Sequence, residues 1–82
     1  MNTSDYKLIR VLIEGLCVLS CDMYTEQMWG ECKCRKQHTC VITGDRINKG
    51  SCCFRPITNG YNRYHRISLR GMCWLKTLFN RK

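Results

Sequence analysis

Apolar positions along the chain come in short dense runs, separated by glycines and polar turn residues. KLIRVLIEG (7–15) is rich in β-branched and apolar side chains and stops at Gly15, which predicts a strand followed by a turn. LCVLSC (16–21) predicts its antiparallel partner, and the return strand is expected to run out in DMYTEQMWGE, a polar stretch without clear period. HTCVITG (38–44) alternates weakly and ends in the turn pair Gly44-Asp45, and RINKG (46–50) ends at another glycine. SCCFRPITNG (51–60) reads as a loop or irregular strand, with the only proline at 56 and the turn pair Asn59-Gly60 at its end. YNRYHRISL (61–69) predicts a further strand. In the final GMCWLKTLFNRK, the spacing of Met72, Leu75, Leu78 and Phe79 predicts a short helix or tail.

No repeat, low-complexity tract or interior linker interrupts this pattern, so residues 1–82 read as a single small domain. Several short strands divided by glycine turns predict an all-β fold, a small barrel of the oligonucleotide-binding type. A chain this short buries a smaller share of its surface than a typical domain, so a staple or a partner is expected. Eight cysteines are the first place to look. A secreted disulfide scaffold does not fit, because the N-terminal apolar run carries Arg10 and Glu14 and lacks a small-residue cleavage site. That run is also too short and too charged to span a bilayer. The expectation is a soluble chain in a reducing compartment, with cysteines as thiols or metal ligands.

Charge changes the picture more than composition does. Residues 1–31 carry two basic and five acidic side chains, whereas residues 32–82 carry twelve Lys or Arg against Asp45 alone. Such a polycation points to phosphate, and so to nucleic acid. A polybasic membrane surface is the competing partner, but it needs a lipid anchor or an apolar helix face, and neither is evident. Arg46, Arg63, His65, Arg66 and Arg70 alternate with apolar residues, which would set guanidinium groups on one face to fork onto phosphate oxygens. Lys33, Arg35 and Lys36 would do the same from the preceding loop. Tyr61, Tyr64 and Trp74 could stack on bases or belong to the core.

GECKCRKQHTC (30–40) suggests a zinc knuckle, with Cys32, Cys34, His38 and Cys40 close together. Structural zinc usually takes C-x2-C pairs, which this chain lacks. A set such as Cys34, Cys40, Cys52 and Cys73 can be assembled, giving as the alternative function a small zinc-stabilised nucleic-acid-binding regulator. The bland reading is that the thiols are small buried apolar side chains. Cys40 beside His38 lacks an orienting third group, so no enzyme is expected.

Four segments resemble, in order, the small-subunit ribosomal protein of the decoding centre, the twelfth of that subunit. N-T-S-D-Y-K-L-I-R-V (2–11) is similar to that family's N-S-A-x-R-K-x-x-R-V, with Asn2, Lys7, Arg10 and Val11 coinciding and Thr3 in place of serine. G-E-C-K-C-R-K-Q-H-T (30–39) has the length of its G-E-G-H-N-L-Q-E-H-S loop and shares Gly30, Glu31 and His38. CVITGDRIN (40–48) follows as V-V-L-I-R-G-G-R-V-K would, and R-Y-H-R-I (63–67) matches the late R-Y-H. Cys32, Cys34 and Cys40 stand where the family has glycine, asparagine and valine. The K-D-L-P-G loop is replaced by residues 48–60, where Lys49, Pro56 and Gly60 have counterparts, and the turn between Gly15 and Gly30 is longer.

The resemblance implies an oligonucleotide-binding barrel at the decoding site, incomplete here because the basic arm and first strand are absent. Divergence rich in Cys, Trp, Met and Phe is similar to that of proteins encoded in mitochondrial genomes, which implies the mitochondrial matrix and its ribosome. Asn2, Thr3 and Lys49 would reach the minor groove of paired messenger and transfer RNA, whose A-form shape varies little with sequence. Lys7 and Arg10 would bind ribosomal RNA phosphate, and His38 would face elongation factors or transfer RNA. Neighbouring ribosomal proteins would complete the barrel; no cofactor is implied beyond a possible zinc ion.

Overall fold

The computed structural model describes residues 6–81. β1 (Lys7–Ile13) and β2 (Leu16–Cys21) form the expected hairpin, turning at Gly15, whose φ of 83° is a left-handed conformation that glycine adopts without strain. The next strand was not expected. β3 (Tyr24–Lys33) is the longest in the molecule and pairs with β2 on one side and β6 (Cys52–Pro56) on the other. The polar segment 22–31 is therefore mostly a central strand. Its inward positions are Gln27 and Trp29, two residues apart, and the polar Gln27 hides the alternation.

β7 (Ile67–Ser68) completes an antiparallel sheet of order β1-β2-β3-β6-β7. Between β3 and β6 the chain makes a small separate ribbon, β4 (His38–Thr39) with β5 (Arg46–Ile47). The strand expected over 61–69 is confined to its last residues; 61–64 form a turn instead. The expected short helix forms: α1 (Leu69–Phe79) starts two residues ahead of Gly71 and is capped by Ser68, whose side chain accepts from the Gly71 N–H at 2.9 Å and satisfies one of the free donors of the first turn.

The fold is thus mostly β with one helix, as the all-β reading anticipated, but the five-stranded sheet stays open with β1 and β7 at its edges. Gly71, Met72 and Leu75 are the buried positions of α1, and Met72 and Leu75 join Leu8, Cys17, Leu19, Trp29, Phe54 and Ile67 in one core together with Cys40, Ile42 and Ile47 from the β4–β5 excursion. Fully burying a side chain of the Leu or Met class stabilises by roughly 1.5–3 kcal/mol, so this cluster is the main apolar source of stability. Among the described residues no helix is long and apolar enough to cross a membrane.

Candidate nucleic-acid interface

Three stretches distant in sequence bring their basic side chains together. Lys33 ends β3, Arg35 and Lys36 lie in the turn after it, Arg55 sits on β6, Arg63 lies in the turn before β7 and Arg66 just after that turn. Lys33, Arg35, Lys36, His38, Arg55, Tyr64 and Arg66 line a cavity of about 640 Å³. Arg55, Tyr64 and Arg66 also line a second cavity of about 500 Å³ with Asn59 and Arg63, so the two form one basic groove.

The groove is held in shape by neutral partners. Arg66 Nη1 donates to the carbonyls of Arg63 and His65 at 2.9 and 2.8 Å, and Arg63 donates to the Gly60 carbonyl at 3.3 Å. The Arg63 guanidinium also lies 4.9 Å from the ring centroid of Tyr64, a ring that is largely exposed. Among the described residues the ion pairs lie elsewhere: Arg10 with Glu26 at 2.9 Å, and Arg70 with Asp45 at 3.8 Å. The six cations lining the two cavities therefore have no carboxylate ion-pair partner among the described residues, an arrangement that an incoming phosphate would relieve. His38 registers this field. Burial, then Arg66 and Lys36, hold its imidazole below the ordinary value of 6.5.

A buried polar network anchors the turn that carries Arg63 and Tyr64 and leads to Arg66. Asn62 and Gln27 exchange amide hydrogen bonds, Asn62 Nδ2 donating to Gln27 Oε1 at 2.9 Å and Gln27 Nε2 donating to Asn62 Oδ1 at 3.0 Å. Trp29 Nε1 donates to the same Gln27 oxygen at 3.0 Å, and Asn62 Nδ2 also donates to Tyr6 Oη at 2.7 Å. The Tyr6 hydroxyl, its oxygen accepting from Asn62, also shares a hydrogen bond with His65 Nδ1 at 2.9 Å, the proton between them set by the imidazole tautomer. Burial pushes the Tyr6 phenol up, which keeps the phenol protonated.

The residues expected to bind phosphate thus fall into separate groups. Lys33, Arg35, Lys36, Arg63 and Arg66 converge in the groove, with His38 at its wall. Arg46 and Arg70 are elsewhere, around a smaller hollow with Asp45 and Ser68. Lys7 lies beside α1 near Leu75 and Phe79, and Arg10 is paired with Glu26. His65 is half-buried and committed through Nδ1 to Tyr6, which makes it part of the anchor more than of the groove. Lys49 is exposed in the turn before Gly50; Asn2 and Thr3 lie outside the described residues. The stretch 30–39, expected as a loop, is strand through Lys33, because Gly30 to Lys33 pair with Cys52 to Arg55. Arg55 lies outside the expected set, because the irregular pattern of residues 51–60 hides the strand that carries it. Its outward place beside buried Phe54 was the available signal.

The proposed metal set does not converge. The Cys34 sulfur meets Cys53, Cys73 is exposed on α1, and the Cys40 sulfur accepts from the backbone N–H groups of Ile42, Thr43 and Ser68 at 3.3 to 3.5 Å. Burial pushes the Cys40 thiol up, but hydrogen bonds from Ser68 and Thr43 outweigh it and bring it below its usual value. Among the described residues no three His, Cys, Asp or Glu side chains gather as an ion would require. Comparison with protein families, with curated proteins and with solved structures finds no match for the chain.

Proposed function

We propose that the chain is an RNA-binding structural protein that grips phosphate through the groove of Lys33, Arg35, Lys36, Arg55, Arg63 and Arg66. The observation that carries this reading is their convergence around Tyr64 with no carboxylate partner among the described residues. Guanidinium forks would hold phosphate oxygens, and the Arg63–Tyr64 pair offers a flat ring on which an unpaired base can stack. The protein performs no chemistry in this account; it fixes RNA geometry.

The specific form we propose is a small-subunit ribosomal protein of the mitochondrial matrix, near the decoding centre. Its support is the sequence resemblance over residues 2–11, 30–48 and 63–67. On this reading Lys49, Asn2 and Thr3 approach messenger and transfer RNA, His38 faces the factor side, and the open sheet is the family's barrel in incomplete form, with neighbouring ribosomal proteins covering the β1 edge. Sucrose-gradient fractionation of cells carrying a tagged chain tests it. The tag is expected to co-sediment with small subunits, and a tag found only among free proteins contradicts the ribosomal assignment.

A further inference from the structure

Eight thiols are distributed over the molecule, and one of them, Cys53, is met by two others, Cys32 and Cys34. Cys32 and Cys53 are direct partners in the β3–β6 register, and Cys34 follows two residues later on the same face of the strand. Cys34 continues the pairing, its N–H donating to the Ser51 carbonyl at 2.9 Å, which holds its side chain diagonally across from Cys53. The sulfurs of Cys34 and Cys53 are 2.7 Å apart and those of Cys32 and Cys53 are 3.8 Å apart. A disulfide needs about 2.05 Å between sulfurs, so Cys34 and Cys53 require only a small closing movement. Access differs among the three: Cys53 is wholly buried and Cys34 nearly so, while Cys32 is partly exposed and lines the basic groove with Cys34.

We propose that Cys32, Cys34 and Cys53 form a thiol-exchange site that takes an anionic low-molecular-weight disulfide, such as glutathione disulfide, and ends as a Cys34–Cys53 disulfide. The Cys32 sulfur attacks the small disulfide and expels one glutathione thiolate, which takes up the proton that Cys32 gives up. Cys53 then attacks the Cys32 sulfur, and the second glutathione leaves as a thiol with the Cys53 proton. Finally Cys34 displaces Cys32 from Cys53, and its proton returns to Cys32. One small disulfide is reduced to two thiols, and two protein thiols are oxidised to one disulfide.

The order of attack follows from the surroundings. Burial and the neighbouring thiols Cys34 and Cys32 push the Cys53 thiol far up, so it is a poor first nucleophile, whereas Cys32 can meet a reagent from the groove. Lys33, Arg35, Lys36, Arg55 and Arg66 surround that approach and favour an anionic disulfide over a neutral one. The product ties the end of β3 to β6 and closes the segment carrying Arg35, Lys36 and His38 into a covalent loop.

The test is oxidation of the full reduced chain in glutathione redox buffers, followed by alkylation of remaining thiols and peptide mapping by mass spectrometry. The first stable protein disulfide is expected between the Cys34 and Cys53 peptides, while Cys73, exposed on α1, takes at most a glutathione adduct and joins no protein disulfide. Cys53→Ser is expected to stop at a glutathione adduct on Cys32, and Cys32→Ser to slow linkage by about tenfold or more. A neutral disulfide such as hydroxyethyl disulfide is expected to react more slowly than glutathione disulfide at low salt. A first linkage ending at Cys17, Cys21 or Cys52, a Cys32–Cys53 disulfide that persists as the end product, or alkylation of Cys34 and Cys53 unchanged by oxidation, overturns the assignment. The wild-type map decides the pairing by itself, so the proposal stays falsifiable even where Cys53→Ser fails to fold.

Discussion

Replacing Asn62 by Ala tests whether the basic turn is positioned from inside. The substitution removes Asn62 donation to Tyr6 Oη and to Gln27 Oε1, and Gln27 donation to Asn62 Oδ1. At about 1 kcal/mol net for each hydrogen bond the loss is about 3 kcal/mol. Gln27, itself buried, is left with a 3.3 Å bond from Nε2 to Thr58 and the Trp29 N–H on its oxygen, which adds to the loss. A domain of this length has a total stability of roughly 4–12 kcal/mol at about 0.05–0.15 kcal/mol per residue, so the effect is a large share of the whole. Urea unfolding followed by tryptophan fluorescence reads it directly. With m near the low end of about 1–3 kcal/mol/M, the midpoint is expected to fall by about 2–3 M with m unchanged. Asn59→Ala, at an exposed position lining the groove, is the control and is expected to shift the midpoint little. An Asn62→Ala shift no larger than that of Asn59→Ala would refute the idea that this network anchors the turn.

Two further outcomes follow from other parts of the structure. A Cβ on Gly71 would stand 2.7 Å from the Cys40 sulfur and 3.1 and 3.2 Å from Ile67 and Ile42 atoms, so Gly71→Ala is expected to lower stability by about 1–2 kcal/mol in denaturant titration, overpacking outweighing the helix-propensity gain of about 1 kcal/mol. His38 has a folded value below its ordinary 6.5, so its contribution to stability is complete above that value and is lost as pH falls through it towards the folded value. A bound phosphate would offset Arg66 and Lys36 and raise the imidazole. RNA affinity is therefore expected to rise as pH drops below about 6.5, with His38→Gln flattening the dependence and NMR titration showing the shift.

The hairpin at Gly15 and the C-terminal helix were legible because their apolar spacing matches their geometry: apolar runs on either side of a glycine, and Met72 and Leu75 on one helical face. β3 was hidden by Gln27, a polar residue made acceptable inside by Asn62 and Trp29, partners that no local pattern reveals. The alternation of Y-N-R-Y-H-R-I imitated a strand for the same reason in reverse. Asn62 is buried through long-range hydrogen bonds, and the chain turns there. Charge density identified most of the groove, but not which cations share it. Separating Arg46 and Arg70 from Arg63 and Arg66, and adding Arg55, required the β3–β6 pairing. The thiol cluster was likewise invisible, since Cys53 lies 21 residues from Cys32 and 19 from Cys34 and reaches both only through strand register.

The central claim, that this groove holds RNA phosphate, is tested most directly by the salt dependence of binding to a structured RNA. If the six groove cations engage phosphates, log K against log salt has a slope of about −4 to −5 for the unmodified chain, and Arg55→Gln with Arg66→Gln lowers its magnitude by about 2. Lys76→Gln with Arg81→Gln, on and just beyond the C-terminal helix, is expected to leave the slope unchanged. Equal slopes for the groove variant and the unmodified chain, or equal losses from both double variants, would contradict the account.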